Sequence, residues 1–117
     1  MKQILTLLAA LAIVTPAAAD GFDTIDERDM FVSIVDGRDL TRFGIRLNVT
    51  PDGRIVGRAF GRDVRGAWQW NSGYFCRSLY WGEKDLGPNC QAVRIDGRTM
   101  KFISDRGSGD FADFRIR

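Results

Sequence analysis

Apolar and polar residues alternate along most of this chain, and the alternation restricts the folds that it can adopt. From Leu40 onward the period is two residues, as in Phe43, Ile45, Leu47 and Val49. Turn residues interrupt the pattern at short intervals, at 50–53, 61–63, 71–73 and 96–98. Half-buried strands joined by tight turns are typical of an antiparallel meander.

We therefore predict a mainly β fold, a small antiparallel up-and-down meander of about seven strands. The expected strands are 43–49, 54–60, 64–70, 74–81, 90–95, 99–104 and 111–116. Because closure removes exposed strand edges, we expect the meander to form a barrel.

The segment 22–40 has a helical pattern instead. Thr24 and Glu27 have the spacing of a capping box, and Gly37 can end a helix. The apolar residues at helical spacing are Met30, Phe31, Ile34 and Val35. We predict one short N-terminal amphipathic helix whose apolar face packs on the core.

Residues 1–19 have the composition of a secretory signal peptide. Lys2 supplies a positive start, residues 4–14 are apolar, and a run of small residues ends at Ala19. We expect cleavage after Ala19, a periplasmic or secreted location, and one small β-barrel-like domain at 20–117. An apolar stretch of about eleven residues is too short to span a bilayer, so no stable membrane anchor is expected after cleavage.

The chain contains two cysteines, Cys76 and Cys90. In an exported protein such a pair is expected to form a structural disulfide. If the strand at 74–81 turns near 83–88, the two cysteines lie opposite each other in a hairpin. The sequence therefore predicts a bridge across this hairpin.

The chain contains no histidine, which excludes histidine-dependent nucleophilic catalysis and histidine-ligated zinc or haem. With both thiols in a bridge, we predict no catalytic, cofactor-binding or metal-binding residues. Removal of Lys2 lowers the net charge from +2 to +1, which gives no reason to expect nucleic acid as a partner.

Aromatic residues are concentrated in the third and fourth predicted strands. Some would line the core, and others would form a wall for an apolar or anionic ligand or a surface for a protein partner. These two interpretations remain open. The candidate contact residues are Trp68, Trp70, Tyr74, Arg77, Tyr80 and Trp81.

Three strings resemble a family of small exported alphaproteobacterial proteins: Gly73-Tyr74-Phe75-Cys76-Arg77, Asn89-Cys90-Gln91 and Asp105-Arg106-Gly107-Ser108-Gly109. Members often carry the label "dihydrodipicolinate reductase", which implies an enzyme. The true reductase is a Rossmann protein, and the glycine pattern at 107–112 is too close to the end of the sequence for a βαβ unit. We interpret that pattern as a hairpin turn. More loosely, the expected architecture is similar to lipocalin-like barrels and to periplasmic inhibitors of metalloproteases.

Our first hypothesis is an exported, non-enzymatic module that binds a small ligand or a periplasmic protein. A protease inhibitor, which would need a projecting segment at 20–24, is the first alternative. An enzyme with the reductase activity of the family label is the second.

Overall fold

The computed structural model describes residues 21–117. The predicted signal peptide and its cleavage after Ala19 lie outside the described residues. The elements in this part of the chain are β1 (Asp23–Ile25), α1 (Arg28–Val35), β2 (Leu40–Arg42), β3 (Ile45–Val49), β4 (Arg54–Ala59), β5 (Arg62–Asn71), β6 (Tyr74–Trp81), β7 (Lys84–Asp96), β8 (Thr99–Ile103), α2 (Ser104–Gly107) and β9 (Phe111–Ile116).

Eight of these strands form a closed antiparallel barrel. The antiparallel barrel confirms the prediction, although about seven strands were expected. The order around it is β7-β6-β5-β4-β3-β2-β9-β8, and β8 pairs with β7 to close the ring. The further strand β1 also pairs with β7. The short strand β2 separates from β3 because the chain turns at Gly44, whose φ is 76°. Phe43 therefore lies in a turn and is 92% exposed, whereas the alternation placed it on the buried face.

The predicted bridge is confirmed, because Cys76 and Cys90 are register partners in β6 and β7 and form a disulfide. The turn predicted at 83–88 is wrong, since β7 already begins at Lys84. Pro88 is tolerated in this strand because β8 pairs with β7 only from Ala92 onward. A proline without an N–H donor is accommodated where a strand has a neighbour on one side only.

The helical region is shorter than predicted. The helix α1 begins after Glu27, whose side chain makes no capping bond, and Thr24 lies in β1, so the predicted capping box does not form. Gly37, with a φ of 73°, lies in the turn that follows the helix. Phe31 and Val35 are fully buried, but Met30 is 55% exposed and does not pack on the core.

The helix α1 closes one end of the barrel. The ring of Phe31 lies 5.4 Å from that of Trp68, 5.1 Å from that of Phe75 and 5.1 Å from that of Trp70. Arg28 donates a hydrogen bond from Nη2 to the carbonyl oxygen of Pro51 in the β3–β4 turn. The turns of an up-and-down barrel alternate between its two ends, so the β2–β3 and β4–β5 turns lie at the opposite end, away from the helix.

Candidate functional site

The barrel contains a cavity of about 290 Å³ that is partly open to solvent, on the side of the aromatic cluster away from α1. This volume corresponds to roughly ten water molecules, or a ligand of about ten non-hydrogen atoms. Phe111, which is 60% exposed, lies at its outer edge. The apolar lining residues are Leu40, Leu47, Val49, Ile55, Phe75, Leu79, Phe102, Phe111, Ala112 and Phe114.

Among residues 21–117, Arg77 is the cation that lines this cavity. It lies on β6 between Phe75 and Leu79, which share its inward face because strand side chains alternate. Its Nη1 donates a hydrogen bond to the carbonyl oxygen of Gly87 at 2.9 Å. None of the ion pairs within residues 21–117 includes it. Burial lowers the pKa of the Arg77 guanidinium, although an arginine remains charged at neutral pH.

Three other polar side chains line the cavity. Gln91 is 9% exposed, and its Nε2 donates a 3.3 Å hydrogen bond to Ser104 Oγ. Asp110 is exposed and lines the cavity near Phe111. The cavity thus combines an apolar wall with a guanidinium, an amide, a hydroxyl and one exposed carboxylate.

The structure separates the six candidate contact residues of the sequence. Trp68 and Trp70 face inward and pack against Phe31, so they close the helical end of the barrel. Trp81 is partly buried, and its Nε1 donates a 2.7 Å hydrogen bond to the carbonyl oxygen of Ala59. These three tryptophans do not line the cavity.

The two tyrosines lie on the opposite face of β6. The guanidinium of Arg106 lies 5.7 Å from the ring centre of Tyr74, and that of Arg65 lies 5.5 Å from the ring centre of Tyr80. Of the six candidates, only Arg77 lines the cavity. The sequence holds only a weak signal for this placement, because Phe75, Leu79 and Trp81 on the face of Arg77 are more apolar than the opposite face, which nevertheless also carries two aromatic rings.

The three strings that carry the family resemblance lie together in space. Asn89 donates from Nδ2 to Asp105 Oδ1 at 2.8 Å and accepts a 3.0 Å hydrogen bond from the backbone N–H of Asp105. Asp105 and Arg106 adopt left-handed backbone conformations with φ values of 55°. These backbone conformations turn α2 back against β7, so the three strings lie together on one side of the barrel, and Gln91 of the second string contacts Ser104.

The glycine pattern at 107–112 lies at the β8–β9 connection, as a hairpin turn requires. Asp23 and Thr24 pair with Ile95 and Arg94 of β7, so these residues do not form the projecting segment that the inhibitor hypothesis needs.

Within residues 21–117, no group of three or more acidic, cysteine or histidine side chains is arranged to hold a metal ion. Among the same residues, no helix has the length and apolar character needed to cross a membrane. The chain matches no protein-family model, and no curated protein or solved structure is significantly similar to it. The resemblance to the alphaproteobacterial family therefore rests on the three strings alone.

Proposed function

We propose that this barrel is a binding module for a small amphiphilic anion, with the apolar part of the ligand in the cavity and its anionic group at Arg77. The observation that carries this proposal is a guanidinium on the wall of an apolar cavity with no carboxylate in ion-pair contact among the described residues.

The chemistry of Arg77 favours an anion over a neutral ligand. A guanidinium presents five N–H donors, and Arg77 uses one of them for Gly87 in the structure described. A carboxylate accepts two parallel bonds from such a group, and charge-assisted bonds are stronger in an apolar environment than in water. Gln91 and Ser104 add neutral polar groups to the same cavity. Because the exposed carboxylate of Asp110 lines the same cavity and would repel a second negative charge, it favours a ligand with a single negative charge.

The apolar wall of the cavity determines the size and character of the non-charged part of the ligand. Ten apolar side chains line the cavity, and burial of each ligand CH₂ group against them contributes about 0.8 kcal/mol. The volume fits about ten non-hydrogen atoms. Medium-chain carboxylates have both properties and are the ligand class that this proposal names.

Isothermal titration calorimetry of the purified protein with decanoate, decanol and decylamine tests the proposal. We expect decanoate to bind at least tenfold more tightly than decanol, and decylamine to bind most weakly. Arg77→Gln removes the charge inside the cavity, and Arg65→Gln removes an exposed charge from the outer face. Decanoate binding should fall about 10- to 100-fold in Arg77→Gln and stay unchanged in Arg65→Gln. Equal affinity for the three ligands, or equal loss in both variants, contradicts the proposal.

We also propose that the binding module is exported to the periplasm or secreted, with residues 1–19 removed. The signal-peptide pattern and the disulfide support this location, because disulfides persist in oxidising compartments. Fractionation of expressing cells, followed by mass spectrometry of the purified protein, should find it outside the cytoplasm with Asp20 as the first residue. Retention of residue 1 in a cytoplasmic fraction contradicts this part of the proposal.

A further inference from the structure

Two exposed phenylalanines lie together at the end of the barrel opposite α1. Phe43 is 92% exposed in the β2–β3 turn, and Phe60 is 60% exposed in the β4–β5 turn. Their ring centres are 6.5 Å apart. We refer to this pair as the aromatic tip. Exposed aromatic rings at adjacent turns are unfavourable in water, so their placement needs an explanation outside the core.

The backbone holds the aromatic tip in place. Phe60 adopts a φ of 49°, which is uncommon for a bulky residue, and its N–H donates a 2.8 Å hydrogen bond to the carbonyl oxygen of Gly44. Its ring covers the position where a Cβ at Gly44 would stand, so any other residue there would clash with the ring. The exposure of Phe60 is therefore a fixed feature of the two turns.

A basic groove adjoins the tip on the outer wall of β2, β3, β4 and β9. Its arginines are Arg42, Arg46, Arg58, Arg115 and Arg117. Two of them form ion pairs, Arg46 with Asp39 at 3.7 Å and Arg58 with Asp63 at 2.6 Å. No ion pair within residues 21–117 includes the other three.

The register of the sheet adds like charges at close range. Arg46 and Arg58 are direct partners in the β3–β4 pair. Thr41 pairs with Arg46 on one side and with Arg115 on the other. Like charges directly opposite each other in a sheet reduce stability. Asp39 and Asp63 offset part of this repulsion, and an anionic surface placed against the groove would offset the rest.

From these observations we infer that the aromatic tip and the basic groove dock the barrel on an anionic phospholipid bilayer. The rings of Phe43 and Phe60 enter the membrane interface, and the arginines of the groove contact lipid phosphates. The charge of the groove is complementary to such a surface. The rings protrude from turns and do not form a flat face, which suits insertion into lipid better than contact with a folded protein. This docking is peripheral and does not depend on the ligand proposed for the cavity.

Sedimentation with vesicles tests this inference, using phosphatidylglycerol mixed with phosphatidylcholine in one set and phosphatidylcholine alone in the other. Phe43→Ser and Phe60→Ser shorten the tip, and Arg46→Gln removes one charge from the groove. Met30→Ser is the matched control, because Met30 is 55% exposed on the helix at the other end of the barrel. All variants are compared with the same N-terminus, so any contribution from residues before 21 cancels.

We expect binding to the anionic vesicles and little binding to phosphatidylcholine alone. Each phenylalanine substitution should weaken binding about tenfold, a change equivalent to ~1.4 kcal/mol. Arg46→Gln should weaken it roughly fivefold at low salt, and high salt should weaken binding of every variant. Met30→Ser should bind within twofold of the unsubstituted protein.

Two results would overturn the inference. In the first, the phenylalanine substitutions leave vesicle binding unchanged or Met30→Ser weakens it equally. In the second, single-stranded DNA or heparin fully displaces the protein from the anionic vesicles, and the tip variants bind the vesicles as tightly as the unsubstituted protein does. This result identifies a soluble polyanion as the partner. Decanoate titration of Phe43→Ser without vesicles keeps this result separate from the cavity proposal, since that titration measures binding in the cavity and involves no membrane.

Discussion

Replacement of Arg77 by methionine should stabilise the empty barrel while it removes anion binding. The guanidinium lies on the wall of an apolar cavity and, within the described part of the chain, makes one hydrogen bond, to the carbonyl oxygen of Gly87. Loss of a bond from a charged donor costs about 1.5–3 kcal/mol. Removal of the partly desolvated, unpaired charge returns several kcal/mol, and about half of that remains after allowance for partial exposure. Methionine retains the length of the apolar stem and adapts to irregular cavities.

The two contributions largely offset each other, and we expect a net gain of up to about 1 kcal/mol in the free energy of unfolding. For a domain of this size, such a gain raises the melting temperature by about 4–8 °C. Urea denaturation followed by tryptophan fluorescence measures the free energy, since Trp68 and Trp70 pack in the core cluster. Arg65→Met is the control on the outer face and should change stability by less than about 0.5 kcal/mol.

A gain in stability together with a loss of decanoate binding is the signature of a residue retained for function. The opposite result refutes the reasoning. If Arg77→Met lowers the free energy of unfolding by more than about 1 kcal/mol, the bond to Gly87 outweighs the desolvation of the charge. The guanidinium is then a structural tie between β6 and β7, and its position in the cavity carries no argument for a ligand.

Three further predictions concern the elements that hold the barrel together. The joint substitution of Cys76 and Cys90 by alanine should lower stability by about 3 kcal/mol, because the bridge closes a loop with a sequence separation of 14; an unchanged melting temperature contradicts this. Phe31→Ala should cost about 3–5 kcal/mol in urea denaturation, because Phe31 is fully buried at the centre of the aromatic cluster; a cost below 1 kcal/mol would show that α1 does not close the barrel. The hydrogen bond from Thr50, followed by the charge and hydrogen bond of Arg54, lowers the pKa of Asp52, so the stability that the Asp52 carboxylate contributes is present above its unfolded pKa and lost as pH falls through the folded value. Thr50→Val should raise the pKa of Asp52 in an NMR titration, whereas an unchanged titration contradicts this assignment.

The strand pattern was the part of the fold that local sequence described best. Alternation and turn residues placed most strands within a few residues of their observed positions, and they placed Cys76 opposite Cys90. The errors occurred where local patterns and tertiary pairing compete. Residues 23–25 have the helical signal of their neighbours, but the free side of β7 offers hydrogen-bond partners that convert them to a strand.

The candidate site was harder to predict for a geometric reason. Both faces of β6 carry aromatic residues, so alternation divides Tyr74 and Tyr80 from Phe75 and Trp81 without saying which pair faces inward. Cavity residues such as Phe114 come from a strand distant in sequence, and only closure of the ring brings that strand beside β2.

The amino-acid sequence by itself determined the repeating strand and turn pattern, the bridge and the lack of histidine chemistry, because these depend on residue type and on neighbours within one hairpin. The tertiary structure decided which end of the barrel α1 closes, which face of β6 is internal, and that Arg77 shares a cavity with Phe102 and Phe114. It also decided that Phe43 and Phe60 meet at one tip. Those contacts join residues far apart in sequence, and they depend on the stagger and closure of all eight barrel strands together.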